Sequence, residues 1–142
     1  MGSQLCNNHF KVEWGGTNIG FMEVSGLGIS LDVVAYRQGA SADNAATLMP
    51  GQQHFSPVVL KRAIVKSDND FYNWITAAQF SQAERRDVNI SLLDGEHNPT
   101  ITWTLKNAFP SRLDYAPLNA LGSDLAIESL TLVHEGLYVR NP

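Results

Sequence analysis

The sequence predicts a mainly β fold, either an antiparallel barrel or a pair of packed sheets, accompanied by one helix. Three observations lead to it. Several short segments alternate apolar and polar residues, the clearest two are joined by an Asp-Gly turn, and a single segment has helical periodicity. With 142 residues, of which 44% are hydrophobic, we expect one globular domain spanning 1–142.

The first strands are predicted near the beginning of the chain. Residues 9–14 alternate, with Phe10, Val12 and Trp14 on one face. A turn, "GGTN", separates them from "IGFMEV" (19–24), and this arrangement predicts a hairpin. A third strand is predicted over 28–37, with apolar residues on one face and a mixture on the other.

A long connection follows, from Tyr36 to Pro57, with neither a helical stripe nor strand alternation. Connections longer than about 12–15 residues are uncommon in compact domains and are usually functional or disordered. The next strand is predicted over "VVLKRAIV" (58–65), which is rich in β-branched residues.

One helix is predicted over about 68–79. Ser67 is the expected N-cap, and Asp70 stands three residues later as in a capping box. One apolar stripe then recurs at helical spacing, formed by Phe71, Trp74, Ile75 and Ala78. Such a helix must lie on a sheet or close the end of a barrel.

The strongest hairpin signal covers 86–106, around the turn "DGEHN". One face of both strands is apolar, and the other is rich in hydroxyl and amide groups rather than Lys and Glu. Good strand propensity alone could account for the threonines. The last predicted strand, 125–136, is mixed on both faces. Like 28–37, it has apolar residues on both sides, and this indicates a partner surface.

The search for chemistry finds no catalytic or metal constellation. The four histidines are dispersed, so we expect no metal site and no cofactor. Asp68 and Asp70 are explained by capping at the start of the helix. Cys6 is the only cysteine, which excludes an intramolecular disulfide. A net charge of −4 argues against a phosphate-binding nucleic-acid protein.

No targeting or membrane segment is recognised. The first ten residues show no basic region followed by an apolar stretch, and no run approaches the roughly 18–20 apolar residues of a membrane helix. We therefore expect synthesis in a bacterial cytoplasm without a signal peptide and no membrane insertion.

Six segments, in this order, carry a resemblance: "EVSGLGISLDVVAYRQG", "LMPGQQHFSPVVLKRAIV", "DNDFYNWI", "RRDVNISLLD", "TWTLKNAFP" and "AIESLTLVHEGL". Together they resemble the tube proteins of contractile phage tails and of phage-tail-like bacterial injection particles. The likeness extends from about Phe10 to Leu137. It implies an Hcp-like fold, a small β-barrel of two packed sheets with one flanking helix, and no catalytic residues.

The resemblance also implies an assembly. Subunits of this family form hexameric rings that stack into a hollow tube, with sheath protein outside and baseplate, initiating and terminator proteins at the ends. The payload, protein or DNA, occupies the lumen. The long connection, about 38–56, occupies the place of a segment that contacts neighbouring subunits and rings. The expected contact residues are Arg37, Gln38, Gly39, Asp43, Asn44, Leu48, Met49, Pro50 and Gln52.

Within that tube, we expect the hydroxyl and amide face of the 86–106 hairpin to line the lumen. Its residues are Asp87, Asn89, Ser91, Thr100, Thr102, Thr104 and Lys106. Two other classes of protein remain as alternatives. A small-molecule-binding β-barrel would need inward polar groups, and an enzyme would need convergent titratable residues. The number of chains in the native particle distinguishes a tube subunit from either.

Overall fold

The structure is a computed structural model that describes residues 4–17, 20–37, 39, 46–80 and 84–142. Within these residues there is one helix, α1, which spans Asp70–Ala78. The strands are β1 Phe10–Glu13, β2 Phe21–Ser25, β3 Ile29–Tyr36, β4 Thr47–Phe55, β5 Val58–Ala63, β6 Arg86–Leu93, β7 Pro99–Tyr115, β8 Ile127–Val133 and β9 Gly136–Arg140. All strand pairs are antiparallel, so the predicted fold class is confirmed.

Strand β7 is long enough to belong to two sheets. Its first part pairs with β6 on one side and β9 on the other, which gives a first sheet in the order β1-β6-β7-β9. Its second part, from Phe109 onward, pairs with β8, which gives a second sheet in the order β2-β5-β8-β7. Asn107 has a φ of 50° between the two parts. The strand therefore turns there from one sheet into the other.

The predicted hairpin of 9–14 and 19–24 is wrong. β1 pairs with β6, where Val12 lies opposite Ile90. β2 pairs with β5, where Val24 lies opposite Leu60. The glycine turn between β1 and β2 thus carries the chain from one sheet to the other. In the described residues the two edges are not paired, and a groove of about 520 Å³ lies between them.

The core lies between the two sheets and under the helix. Phe71 and Trp74 of α1 are fully buried, as the apolar stripe predicts. Their rings lie 5.0 and 5.6 Å from that of Trp14. The remaining buried apolar residues come from the strands: Val12, Val58, Leu60, Val88, Ile90, Leu105, Ala108, Leu130, Leu132 and Leu137.

The helix begins later than predicted. Asn69 is its N-cap residue and makes no side-chain capping bond, while Ser67 has a φ of 71° and lies outside the helix. A carboxylate takes over part of the capping, because the Asp70 amide donates to Asp68 Oδ1 at 3.2 Å. The Ser67 cap is therefore wrong.

Arg62 organises a buried ionic cluster at the end of β5. Its side chain is 1% exposed and donates to Glu128 Oε1 at 2.7 Å and to Asp68 Oδ1 at 3.1 Å. It also donates to the Thr17 hydroxyl at 3.1 Å and lies 4.0 Å from the Phe71 ring centroid. One side chain thus joins β5, β8, the start of α1 and the turn after β1.

The Asp68 carboxylate of this cluster is held ionised. Burial alone would raise the pKa of Asp68, but hydrogen bonds from Thr17, from the Asp70 amide and from Arg62, together with the Arg62 charge, outweigh it. The pKa therefore lies below its ordinary value of 3.8.

β3 and β4 form a separate two-stranded sheet, a hairpin whose strands pair only with each other in the described residues. The prediction of an irregular connection is wrong for Thr47–Phe55, which is strand β4. Pro50 and Gly51 interrupt the pattern typical of a strand, and β4 is exposed over most of its length, so no alternation marks it.

Candidate self-assembly surfaces

The β3–β4 hairpin presents apolar side chains to solvent on both faces. Register places Val34 opposite Met49 on one face, and Ala35 opposite Leu48 on the other. All eight residues of β3 are exposed, with Val33 at 69%, and Leu48 of β4 is 68% exposed. A two-stranded hairpin is at best marginally stable in water. This one therefore needs a covering surface.

The base of the hairpin is anchored firmly to the second sheet. Gly26, with a φ of 88°, lies so close to Pro57 that a Cβ there would collide with the Pro57 carbonyl oxygen. The Ser56 amide donates to the Gly28 carbonyl oxygen at 3.3 Å. Phe55 packs against the core, with its ring 5.3 Å from that of His134. The hairpin is thus an exposed projection on a fixed base.

The predicted contact residues fall into three groups. Leu48, Met49, Pro50 and Gln52 lie on β4 and are all exposed. Arg37 and Gly39 follow β3 and are also exposed. The predictions for Gln38, Asp43 and Asn44 lie outside the described residues.

The hydroxyl and amide residues lie together on the face of the first sheet that points away from the core. Ser91 Oγ is 3.0 Å from Thr102 Oγ1, and the Thr104 hydroxyl donates to Asn89 Oδ1 at 2.7 Å. These bonds join β6 to β7, which the register pairs residue by residue. We call this face the polar face. Its centre is therefore neutral, and the side chains there are hydrogen-bonded to one another.

The remaining predicted members of the polar face lie at its margins. The Thr100 hydroxyl donates to the Leu92 carbonyl oxygen at 3.0 Å. The Lys106 ammonium lies 3.1 Å from Asp87 Oδ2. Hydrogen bonds from the Asn107 amide and from the Lys106 ammonium lower the pKa of Asp87. They outweigh burial, which would raise it. Asp87 and Lys106 are thus an ion pair at one edge.

The structure adds residues to this face that the sequence did not indicate. Register brings Lys11 of β1 beside Ser91, and Arg140 of β9 beside Thr102. Tyr138 lies beside Thr104. Ser91 itself is only 3% exposed, so its neighbours cover it and it offers little accessible surface. β9 was not predicted, because five residues are too short to show a clear alternation.

The described residues contain no group of three or more His, Cys, Asp or Glu side chains placed to hold a metal ion. In the same part of the chain, no helix has the length and apolar character needed to cross a bilayer. Asp68 and Asp70, which sequence reasoning assigned to capping, both accept bonds from Thr17.

Residues 6–138 match the model of the family described as T4-like virus tail tube protein gp19. The fold is similar to a chain of the PVC sheath-tube complex in the extended state, from an extracellular contractile injection system, with a TM-score of 0.87 and 29% identity over 98% of this chain and 93% of that one. It is also similar to a chain of the tube terminating cap of the anti-feeding prophage, with a TM-score of 0.88 and 27% identity over 100% and 94%.

A more distant likeness concerns the fold alone. Hcp1 from Flavobacterium johnsoniae aligns with a TM-score of 0.57 and 10% identity over 94% of this chain and 96% of that one. No curated protein sequence matches the chain significantly.

Proposed function

Since the chain belongs to the family of T4-like virus tail tube proteins, we propose that it is a structural subunit of the inner tube of a contractile injection system. Subunits form hexameric rings, and the rings stack into a hollow tube through which a payload passes. A sheath surrounds the tube, and baseplate and terminator proteins meet its ends. The similarity to chains of a PVC sheath-tube complex and of an anti-feeding prophage cap supports these partners.

The observation that carries this proposal is the β3–β4 hairpin. Its strands pair only with each other among the described residues, and apolar side chains are exposed on both of its faces. Large exposed apolar patches are typical of interaction surfaces. A repeated self-contact would cover the hairpin in every copy. We assign Arg37, Gly39, Leu48, Met49, Pro50 and Gln52 to this contact, together with Gln38, Asp43 and Asn44.

The polar face is proposed to line the lumen. Its central hydroxyl and amide groups already bond to each other, so they have few free groups to hold a passing molecule. An apolar wall would retain unfolded protein, and a strongly basic one would retain nucleic acid. The neutral centre of the polar face lets either slide, and Lys11 and Arg140 lie beside that centre. Asn89, Thr102 and Thr104 carry this role, and Asp87, Thr100 and Lys106 lie at its margins.

The same proposal includes no catalysis and no cofactor. It also includes synthesis in the bacterial cytoplasm, followed by assembly into a virion tail or an injection particle. Elemental analysis of purified tubes tests the cofactor part, and stoichiometric metal in chelator-free protein would contradict it.

The decisive experiment removes the hairpin and leaves its base. Ile29 and Phe55 lie directly opposite one another, so residues 30–54 can be replaced by a two-residue Asn-Gly turn. Among the described residues, the core between the sheets contains none from the removed segment, so we expect the variant to fold and to unfold cooperatively in circular dichroism. We expect the full-length protein to form particles with the mass of six chains and long tubes in negative-stain images. The deletion variant should form no tubes.

A matched control changes the hairpin surface without shortening the chain. Gln53→Ser alters an exposed polar residue on β4 and should leave tubes of normal length. An unaltered protein that remains a single chain at all concentrations would contradict the proposed function. Tubes of normal length from the deletion variant would contradict the role of the hairpin.

A further inference from the structure

The connection between β7 and β8, residues 116–126, exposes three leucines and is called here the leucine loop. Leu118, Leu121 and Leu125 are 85%, 98% and 67% exposed. A single exposed leucine is ordinary on a protein surface. Three within one short loop form a patch of the kind that marks a protein contact.

The leucine loop is held in place by its own hydrogen bonds. Its first residue, Ala116, donates to the Ile127 carbonyl oxygen at 3.0 Å. The Leu121 amide donates to Asn119 Oδ1 at 3.0 Å. The Gly122 amide donates to the Asn119 carbonyl oxygen at 3.1 Å. The loop therefore presents its leucines in a defined arrangement, which limits the entropy lost on docking.

Two shallow concavities lie on the surface of the loop. One, of about 450 Å³, is lined by residues of the loop alone, among them Leu118 and Leu125. The other, of about 720 Å³, also includes Met22 of β2 and Ile127 of β8. Apolar side chains of a partner would fit against these walls.

Topology places the leucine loop and the hairpin at opposite ends of the second sheet. The hairpin lies between the end of β2 and the start of β5. The loop ends at the start of β8, and Ile127 there pairs with Ala63, the last residue of β5. The two features are thus separated by the length of β5, six residues or roughly 20 Å. The hairpin leaves the leucines of its own chain uncovered, since Leu118, Leu121 and Leu125 stay exposed.

We infer that the leucine loop receives the β3–β4 hairpin of a second copy of this chain in the adjacent ring. The inference rests on the proposed function. A contact between two different surfaces at opposite ends of a subunit is heterologous, and it repeats without limit when it is propagated along an axis. Each copy then covers the apolar hairpin of one neighbour and offers its own hairpin to another.

The two surfaces carry few charges. The leucine loop contains a single charged residue, Asp124. Arg37, at the far end of β3, is the exposed charge nearest the described tip of the hairpin. The hairpin segment also contains Asp32 and Asp43, so the contact rests on apolar side chains rather than on charge. This composition favours the hairpin over a strongly charged partner.

Cross-linking between two variants tests the contact directly. Both carry Cys6→Ala, since Cys6 is exposed. One carries Leu48→Cys on the hairpin and the other Leu121→Cys on the loop, and the two are mixed before tube assembly. Mild oxidation should yield dimers joining the two different chains in tubes. The control pairs Leu48→Cys with Phe80→Cys, which is 84% exposed and lies just after α1. We expect on the order of tenfold less product from the control.

Removing the apolar patch tests the consequence for assembly. The variant changes Leu118, Leu121 and Leu125 together to Ser, and Phe80→Ser is its control. Circular dichroism should be unchanged for both. The loop variant should still form six-chain rings, and the protein concentration needed for tube growth should rise by on the order of 100-fold, since all copies of the contact are lost at once. The control should form tubes as the unaltered protein does.

The outcomes separate this inference from the function on which it rests. If the unaltered protein forms neither rings nor tubes, the proposed function fails. If it forms tubes but the loop variant also forms them normally, or the Leu48–Leu121 dimer is no more abundant than its control, only the inference is wrong. Tubes lost equally in the Phe80→Ser control would also overturn it. Loss of sheath binding from intact tubes would assign the leucine loop to the sheath instead.

Discussion

Replacing Arg62 by Ala should destabilise the fold more than any other single charge substitution in the chain. Arg62 is the only fully buried cation among the described residues, and its guanidinium contacts Glu128 and Asp68. The side chains of these partners are only 6% and 12% exposed. Without Arg62, Glu128 would remain as an uncompensated charge between the sheets.

The expected loss of stability follows from the burial of the Arg62 ion pairs. Removing one partner of a buried ion pair costs about 3–5 kcal/mol, because the other charge stays desolvated. The guanidinium also lies 4.0 Å from the Phe71 centroid, a contact that contributes on the order of 1 kcal/mol. We therefore expect the upper part of that range. Small domains are stable by only about 5–15 kcal/mol in total, so much of the stability should be lost.

The neighbouring residue supplies a matched control. Lys61 also lies on β5 and also forms an ion pair, with Glu23 at 3.3 Å, but both side chains are about half exposed. Exposed pairs contribute about 0–1 kcal/mol. Urea unfolding followed by circular dichroism, at one protein concentration for all variants, compares the free energies of unfolding.

A double variant separates the charge from the packing. Arg62→Met combined with Glu128→Met removes the more deeply buried pair and leaves Asp68, which is 12% exposed, without its cation. It should recover most of the stability lost in Arg62→Ala. The reasoning would be refuted if Arg62→Ala cost no more than Lys61→Ala. It would also be refuted if the double variant were less stable than the single one.

Three further predictions concern acid, the helix and the lumen. The folded pKa of Asp68 is lowered, so its stabilisation is fully present above its unfolded pKa near 3.8 and disappears as the pH falls through the folded pKa. The free energy of unfolding should fall with acidification, and Asp68→Asn should flatten that dependence; an unchanged slope would contradict it. Trp74→Ala should lower the free energy of unfolding in urea by about 3–5 kcal/mol, because the ring is buried and its Nε1 donates to the Glu84 carbonyl oxygen at 2.7 Å. An unchanged midpoint would show that the ring is not part of the core. On tubes of a Thr102→Cys, Cys6→Ala variant, a bulky thiol reagent should react only slowly and from the tube ends, and immediate labelling along the outer wall would place the polar face elsewhere.

Local patterns determined much of the fold without any structure. Period-two alternation identified β6 and the first part of β7, because one face of each packs on the core, and β-branched residues identified β5. The helical stripe identified Phe71 and Trp74 in the same way. The hydroxyl and amide face followed from the same alternation, and the ordered resemblance indicated a tube protein.

Some features could have been found in the sequence but were not. Arg62 stands on the same face of β5 as Val58 and Leu60, where a charge is unusual, and this position signals a buried ion pair. The exposed leucines of 116–126 stand in a segment with the turn residues Pro117 and Gly122. Sequence alone could not show that Arg62 and these leucines lie at the same end of the second sheet.

Only the tertiary structure decided which strands are partners. Alternation tells which face of a strand is buried, but not which other strand it meets, and β1 and β2 therefore separated into different sheets. β4 is exposed along most of its length and contains Pro50 and Gly51, so it has no burial pattern to read. The opposite placement of the hairpin and the leucine loop depends on pairings between residues far apart in the chain, such as Ala63 with Ile127, and these form only when the whole sheet is assembled.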